Sequence, residues 1–114
     1  MSRDDAVVVL DILKAARLAV TFKVDLDKVA FLSDAKTQSA IVHQLLVLGE
    51  AAKRLSDAFR SQHAPIPWKM IAGMRDKLIH EYDDVDLEEV WKTVTADLPR
   101  VIAALEPLAT PEEN

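Results

Sequence analysis

Three residues whose side chains suit phosphate chemistry lie close together in the middle of the chain. Arg75, His80 and Tyr82 form the pattern R-xxxx-H-x-Y within the stretch RDKLIHEY. Arginine is a permanent cation, histidine as a residue type can carry a proton near neutral pH, and tyrosine offers a hydroxyl that can be modified. The combination favours a site that acts on phosphate groups.

Each of these residues also has an ordinary structural interpretation. A lone Arg75 is most often an ion-pair partner, His80 a polar residue at a helix end, and Tyr82 a core aromatic ring with its hydroxyl in water. The three residues together in one pattern favour the chemical interpretation over the structural one.

The charge of the chain is unevenly distributed around this pattern. The formal net charge is −5, which argues against a general nucleic-acid binder. Residues 53–80, however, carry six basic and two acidic side chains, whereas residues 81–114 carry two and ten. The basic segment is able to hold an anion, and the acidic segment is able to repel one or to meet a basic partner. Alternatively, both segments are only solvated surfaces.

The composition predicts one all-α domain. The chain has 114 residues, of which half are hydrophobic, 5% are aromatic and two are glycine. Such a composition is typical of a helical protein and not of a sheet protein rich in turns. We expect an antiparallel bundle of four to five helices over residues 1–107, followed by a frayed tail over residues 108–114.

The composition also limits the possible cofactors and locations. The chain has no cysteine, and the histidines at 43, 63 and 80 lack a metal-ligand spacing, so we expect no metal and no cofactor. Charged residues recur through the first 22 positions and leave no apolar run for a signal peptide or a membrane span. We therefore expect a cytoplasmic protein without membrane contact.

The first half of the chain predicts two long helices. Ser2 to Asp4 can cap a first helix over residues 4–22, and residues 23–32 suggest a short helix or a turn. The longest helix is predicted over residues 34–60. Its buried seam follows alternating steps of four and three residues: Ile41, Leu45, Leu48, Ala52, Leu55 and Phe59.

Gly49 and Glu50 lie within this predicted seam helix. Gly49 is expected to allow the close approach of another helix. Glu50 is either an ordinary exposed residue or the partner of an arginine across that narrow contact.

The second half predicts a loop over residues 61–67 and a helical turn that starts at Pro67. A bend at Gly73 precedes the helical segment that carries the motif. Asp86 can cap the last helix, Pro99 is expected to kink it, and Pro107 and Pro111 are expected to end it. The core of this helix is predicted to contain Leu87, Val90, Trp91, Val94, Leu98, Val101, Ile102 and Leu105.

Residues 49–91 resemble the HepT-type branch of the HEPN domains, small helical proteins found in prokaryotes as toxins or ribonucleases. The resemblance rests on the R-xxxx-H-x-Y pattern and on four supporting segments. These segments are GEAAKRL at 49–55, IPW at 66–68, IAGMRD at 71–76 and VDL at 85–87 before Trp91. The pair Asp83-Asp84 departs from the usual sequence after the tyrosine.

The resemblance implies the toxin of a type VII-like toxin–antitoxin system, acting as a metal-independent endoribonuclease on RNA. It also implies a homodimer and a partner, an MntA-like nucleotidyltransferase antitoxin that attaches AMP to Tyr82. The 2′-hydroxyl of RNA is itself a nucleophile, so His80 as the base and Arg75 as the stabilising cation can be sufficient. The supporting or RNA-contacting candidates are Glu50, Lys53, Arg54, Asp76 and Lys77, and Lys69 is a further possible phosphate contact.

A second class of function is a HEPN module that does not cleave RNA and serves as a binding scaffold for the nucleotidyltransferase. The acidic end of the chain and the modest basic segment are compatible with it.

Helix geometry adds a constraint on the motif. Residues five apart on a regular helix point about 140° away from each other, whereas residues seven apart point nearly the same way. Arg75 and Tyr82 are therefore aligned on a regular helix, and His80 is not. Either the helix is distorted or ends before Tyr82, or a second copy completes the site across a two-fold axis. The family resemblance favours the second copy.

Overall fold

A computed structural model describes residues 1–109 of the chain. The described part is all-α, as predicted, with seven α-helices and one π-helical turn. The helices are α1 (Arg3–Phe22), α2 (Lys28–Leu32), α3 (Ala35–Lys53), α4 (Asp57–Gln62), α5 (Trp68–His80), α6 (Leu87–Lys92) and α7 (Leu98–Ala109). The π-helical turn, Thr93–Asp97, joins α6 to α7.

The bundle consists of four long elements: α1, α3, α5 and the composite of α6 with α7. Helix α1 packs on α3 and α7, and α3 packs on α5. One continuous core of aliphatic side chains and a few aromatic rings joins them. No helix in the described range is long and apolar enough to cross a membrane.

Helix α1 begins where the sequence predicts. The Ser2 hydroxyl accepts a hydrogen bond from the backbone N–H of Asp5 and caps the helix. The Asp5 carboxylate is buried and accepts bonds from the hydroxyl (2.7 Å) and the backbone N–H (2.9 Å) of Ser56. The Ser56 hydroxyl, followed by its N–H, holds the pKa of Asp5 below its ordinary value. These bonds attach the start of α1 to the connection between α3 and α4.

The prediction of one helix over residues 34–60 is wrong. Helix α3 ends at Lys53, and Ser56 then caps the separate helix α4 by accepting a hydrogen bond from the N–H of Phe59. At 19 residues α3 is also one residue shorter than α1. The predicted seam is nevertheless buried, because Leu55 and Phe59 turn inward beyond the break. Apolar periodicity located the core but not the interruption, since Ser56 offers the backbone an alternative cap.

The predicted bend at Gly73 is also wrong. Helix α5 runs without interruption from Trp68 to His80, and Pro67 occupies the position just before its first turn. The indole N–H of Trp68 donates to the carbonyl of His63 at 3.0 Å and anchors the start of the helix. Burial of Ile71 on one side of Gly73 and Leu78 on the other keeps the helix packed on both flanks.

The last helix is continuous but irregular. Asp86 caps it, as predicted, by accepting a hydrogen bond from the N–H of Glu89. The backbone widens over Thr93–Asp97, where the N–H of Leu98 bonds to the carbonyl of Thr93. This wide turn lies immediately before Pro99, which lacks a backbone N–H and crowds the preceding turn. The wide turn therefore lies next to Pro99, where the sequence predicts a kink.

Pro107 does not end the helix, contrary to prediction. Helix α7 continues through it to Ala109, and both Leu108 and Ala109 pack against the core. The continued burial of apolar side chains explains why the helix extends past the proline. Residues 110–114, which include Pro111 and most of the predicted tail, lie outside the described residues.

Candidate active site

Helices α3 and α5 approach each other closely at Gly49. An ideal Cβ placed on Gly49 would lie 2.3 Å from the Cβ of Arg75 and 3.3 Å from the carbonyl oxygen of Ile71. No side chain larger than hydrogen fits there without moving one of the helices. Gly49 therefore allows the close helix approach that the sequence predicts, and it fixes where the side chain of Arg75 begins.

The guanidinium group of Arg75 is held by two carboxylates. Its Nε lies 3.0 Å from Oε1 of Glu50, and its Nη1 lies 3.0 Å from Oδ1 of Asp76. Of the two interpretations of Glu50, the ion pair with an arginine is the one observed. The Nη2 nitrogen donates no hydrogen bond to any residue in the described part of the chain. Arg75 is thus an oriented cation with one nitrogen free for a ligand.

Asp76 also contacts a fourth charged residue, Lys53. The same Oδ1 atom accepts a hydrogen bond from Nζ of Lys53 at 2.7 Å. Hydrogen bonds from Lys53 and then Arg75 hold the pKa of Asp76 below its ordinary value. Glu50, Arg75, Asp76 and Lys53 therefore form a chain of alternating charges across the α3–α5 contact, which we call the charge chain.

Arg75 lines an open groove between α1, α3 and α5. The groove has a volume of about 730 Å³. Its lining combines apolar side chains with the polar residues His43 and Gln44 and with five charged ones: Asp11, Lys14, Glu50, Arg54 and Arg75. Arg54 bridges to Asp11 at 3.3 Å, so one of the groove's cations is already paired.

His80 lies in the last turn of α5 and is exposed. Its side chain makes neither a hydrogen bond nor an ion pair with any described residue. It does not line the groove that contains Arg75. The imidazole is therefore free to meet a substrate or another chain.

Tyr82 lies beyond the end of α5 and is 80% exposed, which rules out the core interpretation of this residue. Its ring borders a second cavity of about 340 Å³. Val42, Val85 and Leu87 supply the apolar part of the lining, and the polar part comes from Gln38, Ser39, Asp83 and Asp84. The hydroxyl is therefore accessible, with space beside it.

The structure does not bring Arg75 and His80 together within one chain. Both lie on the regular helix α5, so they point about 140° apart and are separated by about 7.5 Å along the axis. Because the helix ends at His80, the predicted alignment of Arg75 with Tyr82 along one helix is not realised. Helix α5 thus ends before Tyr82, which is one of the alternatives raised by helix geometry, and this end does not bring His80 toward Arg75.

The other predicted candidates divide into two groups. Lys53 and Arg54 are paired with Asp76 and Asp11, whereas Lys77 is exposed and has no ion-pair partner in residues 1–109. In that range no three His, Asp or Glu side chains lie close enough together to hold a metal ion.

Sequence reasoning missed the contribution of α1 to the groove. Asp11, Lys14 and Leu18 lie at steps of three and four residues, on a stripe beside the buried face of this helix. This spacing was visible in the sequence, but only the packing of α1 on α3 shows that the stripe lies next to Arg75.

Comparison with known proteins gives a consistent result. A family model described as ribonuclease HepT-like matches residues 12–108. The chain is 42% identical over 98 residues to a protein named "Probable ribonuclease HepT" from Thermococcus cleftensis. These residues are 86% of this chain and 89% of that protein. No solved structure gives a significant match.

Two further relatives show how far the similarity extends. A candidate RNase from Methanocaldococcus jannaschii is 38% identical over 96 residues, which are 84% of this chain and 79% of the relative. A candidate RNase from Caldanaerobacter subterraneus is 45% identical over 71 residues, or 62% of this chain and 63% of the relative.

The two glycines of the chain provide a matched test of the α3–α5 contact. Gly49→Ala should lower the free energy of unfolding by about 1–3 kcal/mol, because the new methyl group overlaps Arg75 and forces the helices apart. Gly73→Ala should raise it by up to about 1 kcal/mol, because alanine is the better helix former and nothing lies within 4 Å. Urea denaturation measures both, and equal effects of the two substitutions would contradict this account of Gly49.

Proposed function

This chain belongs to the ribonuclease HepT-like family, and from that premise we propose that it is a metal-independent endoribonuclease of the toxin type. Arg75 and His80 carry the reaction, and a nucleotidyltransferase partner silences it by attaching AMP to Tyr82. The observation that carries the proposal is the contrast between Arg75 and His80. Arg75 is a cation oriented by carboxylates, whereas His80 is exposed and has no polar partner in the described chain.

The two side chains suit different parts of one reaction. The imidazole of His80 takes the proton of a ribose 2′-hydroxyl, and the resulting oxygen attacks the neighbouring phosphorus. Arg75 stabilises the negative charge that develops on the phosphorane. The bond from phosphorus to the 5′-oxygen then breaks, and that oxygen takes a proton from a second acid or from water. The products are a 2′,3′-cyclic phosphate and a 5′-hydroxyl.

A homodimer supplies the geometry that one chain lacks. Arg75 faces the groove between α1, α3 and α5, whereas His80 points about 140° away from it. In a two-fold dimer, the His80 of one copy can face the Arg75 of the other, so that two equivalent sites form in the cleft. The exposed side chains of Val47 and Ile79 beside the groove supply apolar surface for such an interface.

Regulation at Tyr82 follows from its accessibility. The nucleotidyltransferase transfers AMP from ATP to the tyrosine oxygen, with loss of the phenolic proton and release of pyrophosphate. Tyr82 is the only tyrosine of the chain, and a cavity lies beside its ring. Because it lies two residues from His80, the added phosphate and adenosine oppose the entry of RNA by charge and by volume.

A non-catalytic binding module is the second candidate function. The observation in its favour is that Lys53, Arg54 and Arg75 all have carboxylate partners within the chain, which lowers their attraction for RNA. In that case the exposed Tyr82 is a substrate for the nucleotidyltransferase, and the chain itself cleaves nothing.

Substitution of the two reactive residues separates the candidates. His80→Ala and Arg75→Ala should each reduce RNA cleavage by about 100-fold or more, because each removes a group that acts in the transition state. Both variants should keep the helical circular-dichroism signal, since His80 has no polar partner among residues 1–109 and Arg75 lines an open groove. Cleavage of a labelled RNA is measured with and without EDTA. Loss of activity in EDTA, or full activity of both variants, would refute the mechanism.

Mixing the two inactive variants tests whether the site is shared between copies. In a heterodimer of Arg75→Ala with His80→Ala, one of the two composite sites contains both intact residues. After random exchange about a quarter of all sites should therefore be active, as expected for a closed two-fold dimer. If each chain has its own complete site, the mixture should stay as inactive as its components, and the shared site is then wrong.

Tyr82→Phe tests the regulatory part of the proposal. The variant keeps the ring but lacks the acceptor oxygen, so it should cleave RNA normally and no longer be silenced by the nucleotidyltransferase with ATP. Intact-mass spectrometry should show additions of AMP on the parent chain and none on the variant. Equal labelling of both chains would place the acceptor elsewhere.

A further inference from the structure

Gly73 is the one glycine that the fold of the described residues does not explain. The chain contains only two, and Gly49 is required by the contact with Arg75. Gly73, in contrast, lies in the middle of α5, is exposed, and has nothing within 4 Å of the position that a Cβ would occupy. Glycine is a poor helix former, so its presence here weakens α5 without any packing benefit within the described chain. Its bare backbone therefore points to something outside the chain that approaches closely.

The position of Gly73 relates it to the motif. Gly73 and His80 are seven residues apart on α5, so they point within about 20° of each other and lie about 10.5 Å apart along the axis. Lys69 and Lys77 lie four residues before and four residues after Gly73, and both are exposed. We call these four residues, Lys69, Gly73, Lys77 and His80, the α5 track.

The two lysines of the α5 track differ from the other basic residues of the segment 53–80 in having no ion-pair partner among the described residues. The other four basic residues between positions 53 and 80 each form an ion pair with a carboxylate: Lys53, Arg54, Arg60 and Arg75. The side chains of Lys69 and Lys77 have no such partner among residues 1–109. The track is therefore the part of the basic segment that is free to attract an anion.

We propose that the sugar-phosphate backbone of the RNA substrate crosses α5 over Gly73 and is held by Lys69 and Lys77 on its way to His80. This inference rests on the proposed function and extends it, because it says how the strand reaches the base. Lysine contacts to phosphate position a nucleic acid without reading its sequence. The missing side chain at Gly73 lets the strand lie directly against the helix backbone, between the two cations.

The charges of the track favour RNA over a second copy of this chain as the occupant. An antiparallel pair of α5 helices crossing at Gly73 would set Lys69 of each copy against Lys77 of the other, and like charges in that position repel. An acidic turn follows His80. Its side chains Glu81, Asp83 and Asp84 are exposed and have no ion-pair partner among the described residues, so the positive surface of the track ends there. A strand that follows α5 must leave the helix near His80, where the chemistry is proposed to take place.

The test measures RNA binding in the His80→Ala background, in which the strand is not cleaved. Fluorescence anisotropy of a short labelled single-stranded RNA gives the affinity at several salt concentrations. Lys69→Ala and Lys77→Ala should each weaken binding about 5- to 10-fold and lower the slope of log K against log salt by about 0.7, the value for one phosphate contact on a single strand. Lys36→Ala is the matched control, since Lys36 is an exposed lysine in the first turn of α3 without an ion-pair partner among residues 1–109, and it should change neither quantity.

Gly73→Ala and Gly73→Leu test the close approach. Both variants should weaken RNA binding, the leucine variant more than the alanine variant, while their melting temperatures stay at or above that of the parent. Sedimentation of the same samples reports the oligomeric state. A mass that falls in Gly73→Leu with unchanged RNA binding would show that this surface is an interface between copies, and the track would then be wrong.

The remaining outcomes separate the track from the proposed function. Unchanged binding and salt slope in all four track variants would refute the track while leaving RNA cleavage by the parent chain intact. If the parent chain neither binds nor cleaves RNA, the proposed function itself fails.

Discussion

The contact between α3 and α5 at Gly49 is the constraint on which the candidate site depends. The helices approach so closely that a Cβ on Gly49 would lie 2.3 Å from the Cβ of Arg75. This approach brings Glu50 and Lys53, both on α3, within reach of Arg75 and Asp76 on α5. The orientation of Arg75 is thus a consequence of helix packing, because its partners are fixed by the elements that carry them.

The charge chain orients the guanidinium of Arg75 but weakens its attraction for an anion. Each carboxylate that orients Arg75 also neutralises part of its charge, and Lys53 is engaged in the same network. A ligand phosphate must therefore compete with Glu50 and Asp76 or use the nitrogen they leave free. Exposed ion pairs are weak, so this competition is feasible. Although the net charge of the chain is −5, some cations in the described residues have no carboxylate partner, as the proposed binding of RNA requires.

Much of the fold could be predicted from the sequence because most of it follows from local rules. Ser2 and Asp86 cap helices where their positions predict, and the apolar seam of Ile41, Leu45 and Leu48 is buried. The errors lie where two local preferences compete. Ser56 ends a seam that periodicity alone would extend, α5 passes through Gly73, and α7 passes through Pro107 because burial continues on both sides.

The sequence by itself determined the family, the all-α class and the pattern of Arg75, His80 and Tyr82, since these depend on residue types and their spacing. Only the tertiary structure decided which cations are engaged, since Arg54 meets Asp11 and Lys53 meets Asp76 across helices that are distant in sequence. It also decided that Arg75 and His80 diverge within one chain, because α5 is a regular helix as far as His80 and its packing turns only the arginine toward α3.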